Sequence, residues 1–248
     1  MKSFSRTEIL IGKDGLNSLA KSHILIAGLG GVGGALAESL VRAGLGTITI
    51  IDFDKVDISN INRQIIATHS TIGKQKTLLM KTRLLDINPR LKIIAKDTFI
   101  NAESAFEIAN NPRIDFVADC IDSIFYKVML IENCLKSGKK IISSMGAGGK
   151  LDASKIKIDK MEKTINCNLA REIRRRLRLA RVKMKFPVVF STEVGKKALP
   201  HIAIKEEEYA TLGRPKATNG VISYMPNIFG LMMSSHIINE LLTENNDE

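Results

Sequence analysis

Ile24-Leu-Ile-Ala-Gly28-Leu-Gly30-Gly31-Val-Gly33-Gly34 is the stretch that decides how this chain folds. An apolar run over His23–Ala27 predicts a short strand covered by helices on both faces. The glycines after it predict a tight turn that opens a helix over 33–43. One glycine permits the turn, one lets the backbone approach an anion, and one lets the helix pack on the strand. The first N–H groups of the helix, with its dipole, then favour a phosphate. Thr47–Ile51 is a second strand. Asp52 ends it nineteen residues beyond Gly33, near the spacing of roughly 20 residues expected of an acid that holds a ribose. Strand, turn, helix, strand and acid in this register predict a nucleotide-binding α/β unit.

An ordinary dinucleotide site would end there. This chain continues with Asp54, Asn60, Asn62, Arg63 and Gln64, then Gly73, Lys74 and Lys76. Asn and Arg in a short turn after the ribose strand can meet a phosphate tail, and Lys76 near a helix start adds a point charge. Taken alone, Lys74 and Lys76 read better as a solvated helix face. Together the residues suit phosphates that are attacked as well as held. A helix over 71–88 stops before Pro89. A third strand over 91–96, the helix Ala102–Asn110 and a fourth strand over 116–118 follow. The fourth strand runs into Asp119-Cys-Ile-Asp122, before the helix Ile124–Ser137. Carboxylates beyond the C-terminal end of a parallel strand lie on the ligand edge of the sheet. One can hold Mg²⁺, or it can cap the next helix; Asp122 is the preferred metal ligand. A fifth strand over 140–144 leads to Met145-Gly-Ala-Gly-Gly149, either a plain loop or a place where backbone passes close to a substrate.

The remainder changes character. Ile156–Lys160 and 188–191 read as strands, and a helix over 169–183 carries Arg171, Arg174, Arg175, Arg176, Arg178, Arg181 and Lys183. That density fits a polyanion backbone, or else a solvated basic helix. The whole chain has 37 Lys+Arg against 26 Asp+Glu, a net charge of +11. This favours an anionic partner such as nucleic acid, although solubility alone also produces basic proteins. Residues 195–219 read as a long mobile loop; 221–224 and a helix over 226–242 close the fold, and 244–248 should fray. Residues 1–22 read as a helical lead-in broken by Gly12 and Gly15. It carries Arg6, either a solvated arginine or an arm reaching a phosphate across a dimer. The apolar run 221–238 is interrupted by Pro226, Asn227, Ser234, Ser235 and His236, which predicts a buried helix and no stable membrane insertion. Cys120, Cys134 and Cys167 form no C-x-x-C; with no signal peptide in view they suggest a reducing cytoplasm and buried thiols. The expected fold class is α/β, a Rossmann-like, mostly parallel sheet with helices on both faces and a C-terminal extension with a basic helix and extra strands. At 248 residues it is expected to form one domain, with a nucleotide-binding core over 1–150 and a basic substrate-binding extension over 151–248.

The ordered set Gly28-x-Gly30-Gly31-x-Gly33, Asp52-x-Asp54, Asn62-Arg63-Gln64, Gly73-Lys-x-Lys76 and Asp119-x-x-Asp122 resembles the ubiquitin-activating-enzyme-like (ThiF/MoeB) adenylyltransferases over roughly residues 4–150. These enzymes adenylate a carboxylate with ATP, usually as homodimers. The resemblance implies an ATP site of Gly28, Gly30, Gly31, Gly33, Asp52, Asp54, Asn62, Arg63, Gln64, Lys76 and Asp122. Arg63, Lys76 and Asp122 would be catalytic, with Mg²⁺ on Asp122, and Arg6 would reach the neighbouring subunit's ATP. The relatives that activate sulfur carriers usually have paired C-x-x-C motifs for zinc and a downstream catalytic Cys. This chain lacks the first, and only Cys167 stands where the second would be. Its second half instead resembles the tRNA threonylcarbamoyladenosine dehydratases, through Ser144-Met-Gly-Ala-Gly-Gly-Lys-Leu-Asp152, Lys163-Thr164, Asn168-Leu-Ala-Arg171 with the arginines to Arg178, Phe190-Ser-Thr-Glu193 and Ile222-Ser-Tyr-Met-Pro226. Asp152-Ala153 and Cys167-Asn168 stand where that family usually has Asp-Pro. The resemblance implies tRNA as substrate, held by Arg171, Arg174, Arg175, Arg178 and Arg181, and cyclisation of its threonylcarbamoyladenosine through adenylation of the carboxylate. ATP and Mg²⁺ are the implied cofactors, with a monovalent cation and a sulfur-relay protein as further candidates. The alternative is adenylation of the C-terminal carboxylate of a ubiquitin-like sulfur carrier.

Overall fold

Helix α1 (Ser5–Lys21) leads into strand β1 (His23–Ala27), which the glycine turn joins to α2 (Gly31–Ala43) and then β2 (Thr47–Ile51). There follow α3 (Lys76–Ile87), β3 (Lys92–Lys96), α4 (Ala102–Asn110), β4 (Phe116–Asp119), α5 (Ile124–Ser137) and β5 (Ile141–Ser144). The last elements are β6 (Ile156–Lys160), α6 (Asn168–Leu179), β7 (Pro187–Ser191) and α7 (Tyr224–Thr243). This is a computed structural model, and it describes residues 3–196 and 220–243.

Among the described residues one sheet holds seven strands in the order β3-β2-β1-β4-β5-β7-β6. All pairings are parallel except that of β6 with β7. Alternate sides of each central strand face two separate cores. Ile24 and Ile26 of β1 pack with Leu36 and Leu40 of α2 and with Phe229, Met233 and Ile237 of α7. Leu25 and Ala27 face the other way, among Leu130 and Ile131 of α5 and Ile173 and Leu177 of α6. Helices thus cover both faces, as the unbroken apolar strands require. The strand order reverses between β1 and β4, which opens a crevice at the carboxyl edge of the sheet. The strands of the second half, β7 and β6, extend the same sheet beyond β5.

Two helix boundaries differ from the sequence expectation by more than two residues. The helix expected over 71–88 starts only at Lys76. Thr68 and Thr71 exchange side-chain and backbone hydrogen bonds around a 3-10 turn, His69–Thr71, so the polar stretch before Lys76 bonds locally. The helix expected over 169–183 stops at Leu179. The Val182 N–H turns back to the Leu177 carbonyl and Arg181 has φ of 55°, so Arg181 and Lys183 lie beyond the helix. The expected loop 195–219 and tail 244–248 fall almost wholly outside the described residues. No helix among the described residues is long and apolar enough to cross a membrane.

Candidate active site

The glycine turn is built by close approach. Gly28 has φ of 93°, and a Cβ there would lie 2.9 Å from the Cys120 carbonyl oxygen. A Cβ on Gly33 would lie 1.8 Å from the Gly28 carbonyl oxygen, so neither position admits a side chain. The turn thereby places the amino end of α2 between the ends of β1 and β4. Its first N–H groups have no partners within the helix and offer an anion cradle.

Asp52 is buried at the end of β2 and fixes this cradle to the next loop. One carboxylate oxygen accepts from the Leu29 N–H at 2.5 Å and the other from the Asp54 N–H at 2.8 Å. Burial pushes its pKa up, against the Lys76 charge and these two N–H groups. Lys76, also buried, donates from Nζ to Asp54 Oδ2 at 2.8 Å. Asp54 is about half exposed, so the ammonium lies at the border of crevice and solvent. Lys74 is exposed but precedes α3, and Lys76 is buried, so the two do not form a solvated helix face.

The Asn62-Arg63-Gln64 turn follows a short 3-10 turn (Ile58–Asn60) capped by Asp57. The Arg63 guanidinium donates to the Ser59 carbonyl at 2.7 Å and to Asn62 Oδ1 at 2.8 Å. Both acceptors are neutral, so its charge remains available to phosphates. Gln64 is buried with its Nε2 beside Gly30, and its Oε1 has no hydrogen-bond partner among the described residues. An orphaned buried acceptor next to the anion cradle is what a ligand donor would satisfy.

The carboxylates at the end of β4 and just beyond it have different surroundings. Asp119 is sealed in the core, where Oδ2 accepts from Lys127 Nζ and from Ser143 Oγ, each at 2.5 Å, and Oδ1 accepts from the Ile121 N–H. It is therefore not free to hold a metal at the crevice. Asp122 is exposed at the crevice, and Ser123 stands at the N-cap of α5 in its place. An exposed carboxylate at that position suits Mg²⁺, which is usually held by one or two carboxylates together with the phosphates of the nucleotide.

Arg6 is not brought to this site within one chain. Phe4, two residues before it, lies against Gly44 at the opposite end of α2 from the glycine turn. On α6, Ala170, Ile173 and Leu177 are buried, while Arg171, Arg175 and Arg178 are exposed. Arg174 is instead tied to the carbonyl and hydroxyl of Thr164. Arg175 and Arg176 share Glu172, whose carboxyl they hold down at about 2. Sequence reasoning missed the amino end of α7. Pro226 packs on Gly31, and Asn227 donates to the Arg63 carbonyl at 3.2 Å. It missed Lys127 and Ser143 as well. The signal for Lys127 was a charge on an otherwise apolar helix face.

Other chains are similar to this one in sequence and fold. The tRNA threonylcarbamoyladenosine dehydratase of Bacillus subtilis (strain 168) is 37% identical over 248 residues, 98% of this chain and 96% of that protein. The enzyme of the same name from Escherichia coli (strain K12) is 35% identical over 197 residues, 77% of this chain and 73% of that one. The crystal structure of E. coli tRNA N6-threonylcarbamoyladenosine dehydratase in complex with ATP superposes with a TM-score of 0.86 at 30% identity, covering 99% of this chain and 96% of that chain. E. coli MccB with ATP, at 16% identity and a TM-score of 0.62, shares the fold alone. The ThiF family profile matches residues 4–248. With this match and a relative alike from end to end, the chain belongs to the ThiF family.

Proposed function

We propose that this protein is an ATP-dependent tRNA threonylcarbamoyladenosine dehydratase. One observation carries the reading: the likeness to the dehydratases runs beyond the nucleotide turn through the basic helix and the closing helix, over 98% of the chain. In the reaction, the carboxylate of the modified adenosine attacks the α-phosphorus of ATP and pyrophosphate leaves. The substrate's own urea group then attacks the activated acyl carbon, losing a proton and expelling AMP. The carboxylate oxygen departs with AMP, so the net change is loss of water. Ring closure by a tethered group gains from proximity and needs no protein nucleophile.

The work of the protein is to let one anion approach another. The N–H groups of α2 hold phosphate oxygens, Asp52 takes the ribose hydroxyls, and Arg63 and Lys76 oppose the charge on the phosphates. Asp122 would hold Mg²⁺, which supplies further neutralisation when bound. The exposed arginines of α6 would hold tRNA phosphates. We assign residues 1–150 to the nucleotide core and 151–248 to substrate binding, and we place the enzyme in the cytoplasm as a homodimer. The three cysteines are free thiols, which suits a reducing compartment.

Mass spectrometry of tRNA nucleosides after incubation with ATP and the protein should reveal loss of one water. Arg63→Ala and Asp122→Ala should each lower that rate by about 10²-fold or more, with tRNA binding nearly unchanged. Full activity in both variants would overturn the assignment. Pyrophosphate exchange driven by a ubiquitin-like protein and not by tRNA would select carrier activation instead.

A further inference from the structure

Lys150 is buried beneath the loop that follows β5, and its ammonium group donates to two backbone carbonyls. One is that of Asn166, at 3.1 Å, two residues before α6; the other is that of Glu193, two residues beyond β7. The connection is returned, for the Glu193 carboxylate accepts from the N–H groups of Leu151 and Asp152, both at 2.9 Å. Burial lowers the pKa of Lys150. An ammonium removed from water to meet neutral carbonyls is costly, and a methionine would fill the same space without that cost.

The same loop is tied to α7 and through it to the phosphate-facing turn. Gly149 N–H donates to the Gly220 carbonyl at 2.8 Å, and Tyr224 Oη donates to the Leu151 carbonyl at 2.7 Å. Asn62 Nδ2 donates to the Val221 carbonyl at 2.9 Å, and Asn227 Nδ2 to the Arg63 carbonyl at 3.2 Å. Hydrogen bonds, joined by short stretches of backbone at residues 149–151 and 220–227, therefore connect the residues before α6 to Arg63.

We propose that Lys150 is a positioning residue that holds the RNA-binding helix α6 in register with the Arg63 turn. The inference rests on the dehydratase reading given above. A substrate anchored on α6 through its phosphates presents its carboxylate at a distance set by the protein between the two. A misplacement of about 1 Å can cost about 10²-fold in rate, so a fixed strut between anchor and reacting site has a kinetic consequence.

Two variants test this. Lys150→Met keeps the side-chain stem and removes the charge, and Tyr224→Phe removes one hydroxyl from the exposed link. With ATP and tRNA saturating, Lys150→Met should lose about tenfold in kcat, with affinities for ATP and tRNA within about twofold of the native chain. The double variant should be no slower than Lys150→Met, because both cut one connection. In hydrogen exchange, tRNA should protect the amides of residues 60–66 in the native chain and not in either variant. An unchanged kcat per folded molecule, rate losses that multiply, or protection that persists in the variants would overturn the proposal. Should Lys150→Met not fold, Tyr224→Phe carries the same kinetic and exchange readouts. Protection by tRNA in a native chain that performs no dehydration would remove the dehydratase reading and leave the strut standing.

Discussion

Asp52 illustrates how one residue joins fold and chemistry. Its two oxygens are occupied by backbone N–H groups of the glycine turn and of Asp54, so it shapes the cradle as well as serving as the proposed ribose acid. Burial raises its pKa above the ordinary 3.8, and the Lys76 charge is the largest opposing influence. The sign follows from linkage. The folded protein holds this proton more tightly than the unfolded chain, so the stability Asp52 contributes is complete below 3.8 and is lost as pH rises through the raised value. Ribose binding runs the other way, because the ionised carboxylate is the better acceptor. ATP affinity measured by calorimetry should therefore fall on acidification at a pH above that of an ordinary aspartate. Lys76→Met should move this limb to higher pH, and Asp52→Asn should abolish it. A limb at the ordinary value, unmoved by Lys76→Met, would contradict the role given to burial.

Helix α6 shows that a run of arginines is not one uniform surface. Arg174 is consumed by Thr164, and Glu172 offsets Arg175 and Arg176. Arg171 and Arg178, seven residues apart and both exposed, lie on the same helix face. Reversing these two should weaken tRNA binding and reduce the slope of log K against log salt by about 1.4–1.8, as for two lost phosphate contacts. Arg174→Ala should leave the slope unchanged and cost about 1.5–3 kcal/mol of stability, as for hydrogen bonds from a charged group. Filter binding over a salt series and denaturant unfolding separate the two outcomes. The charge of this helix was plain in the sequence, but that Thr164 takes Arg174 while Arg171 and Arg178 stay exposed was not. A one-dimensional pattern gives the face of an arginine and not its partner. Likewise α2, β1 and β2 were legible because their signals are local, whereas the starts and stops of α3 and α6 depended on side-chain bonds at Thr68–Thr71 and on the backbone at Arg181.

At the scale of the molecule, the parts of the site that the motifs made legible are those built from residues 24–76. The parts that were not legible join distant segments, as when Pro226 and Asn227 meet Gly31 and Arg63. The buried group of Asp119, Lys127 and Ser143 belongs to the same class, since Asp119 reads like a crevice ligand until its partners on α5 and β5 are in place. Asp119 and Lys127 are both fully inaccessible to solvent, and the pair joins β4 to α5 while Ser143 draws in β5. Each charge is tolerable only because the other is present. Lys127→Met would strand the carboxylate, so it should destabilise the fold by about 3–5 kcal/mol. Replacing both partners, as Lys127→Met with Asp119→Leu, removes the stranded charge and should recover much of that loss. The recovery falls short of complete, because the Ile121 N–H and the Ser143 hydroxyl then lose their acceptor. Urea unfolding of the two single variants and the double variant tests this. A double variant less stable than Lys127→Met alone would mean that the pair holds the sheet together by its own attraction, and not merely by cancelling the cost of its burial.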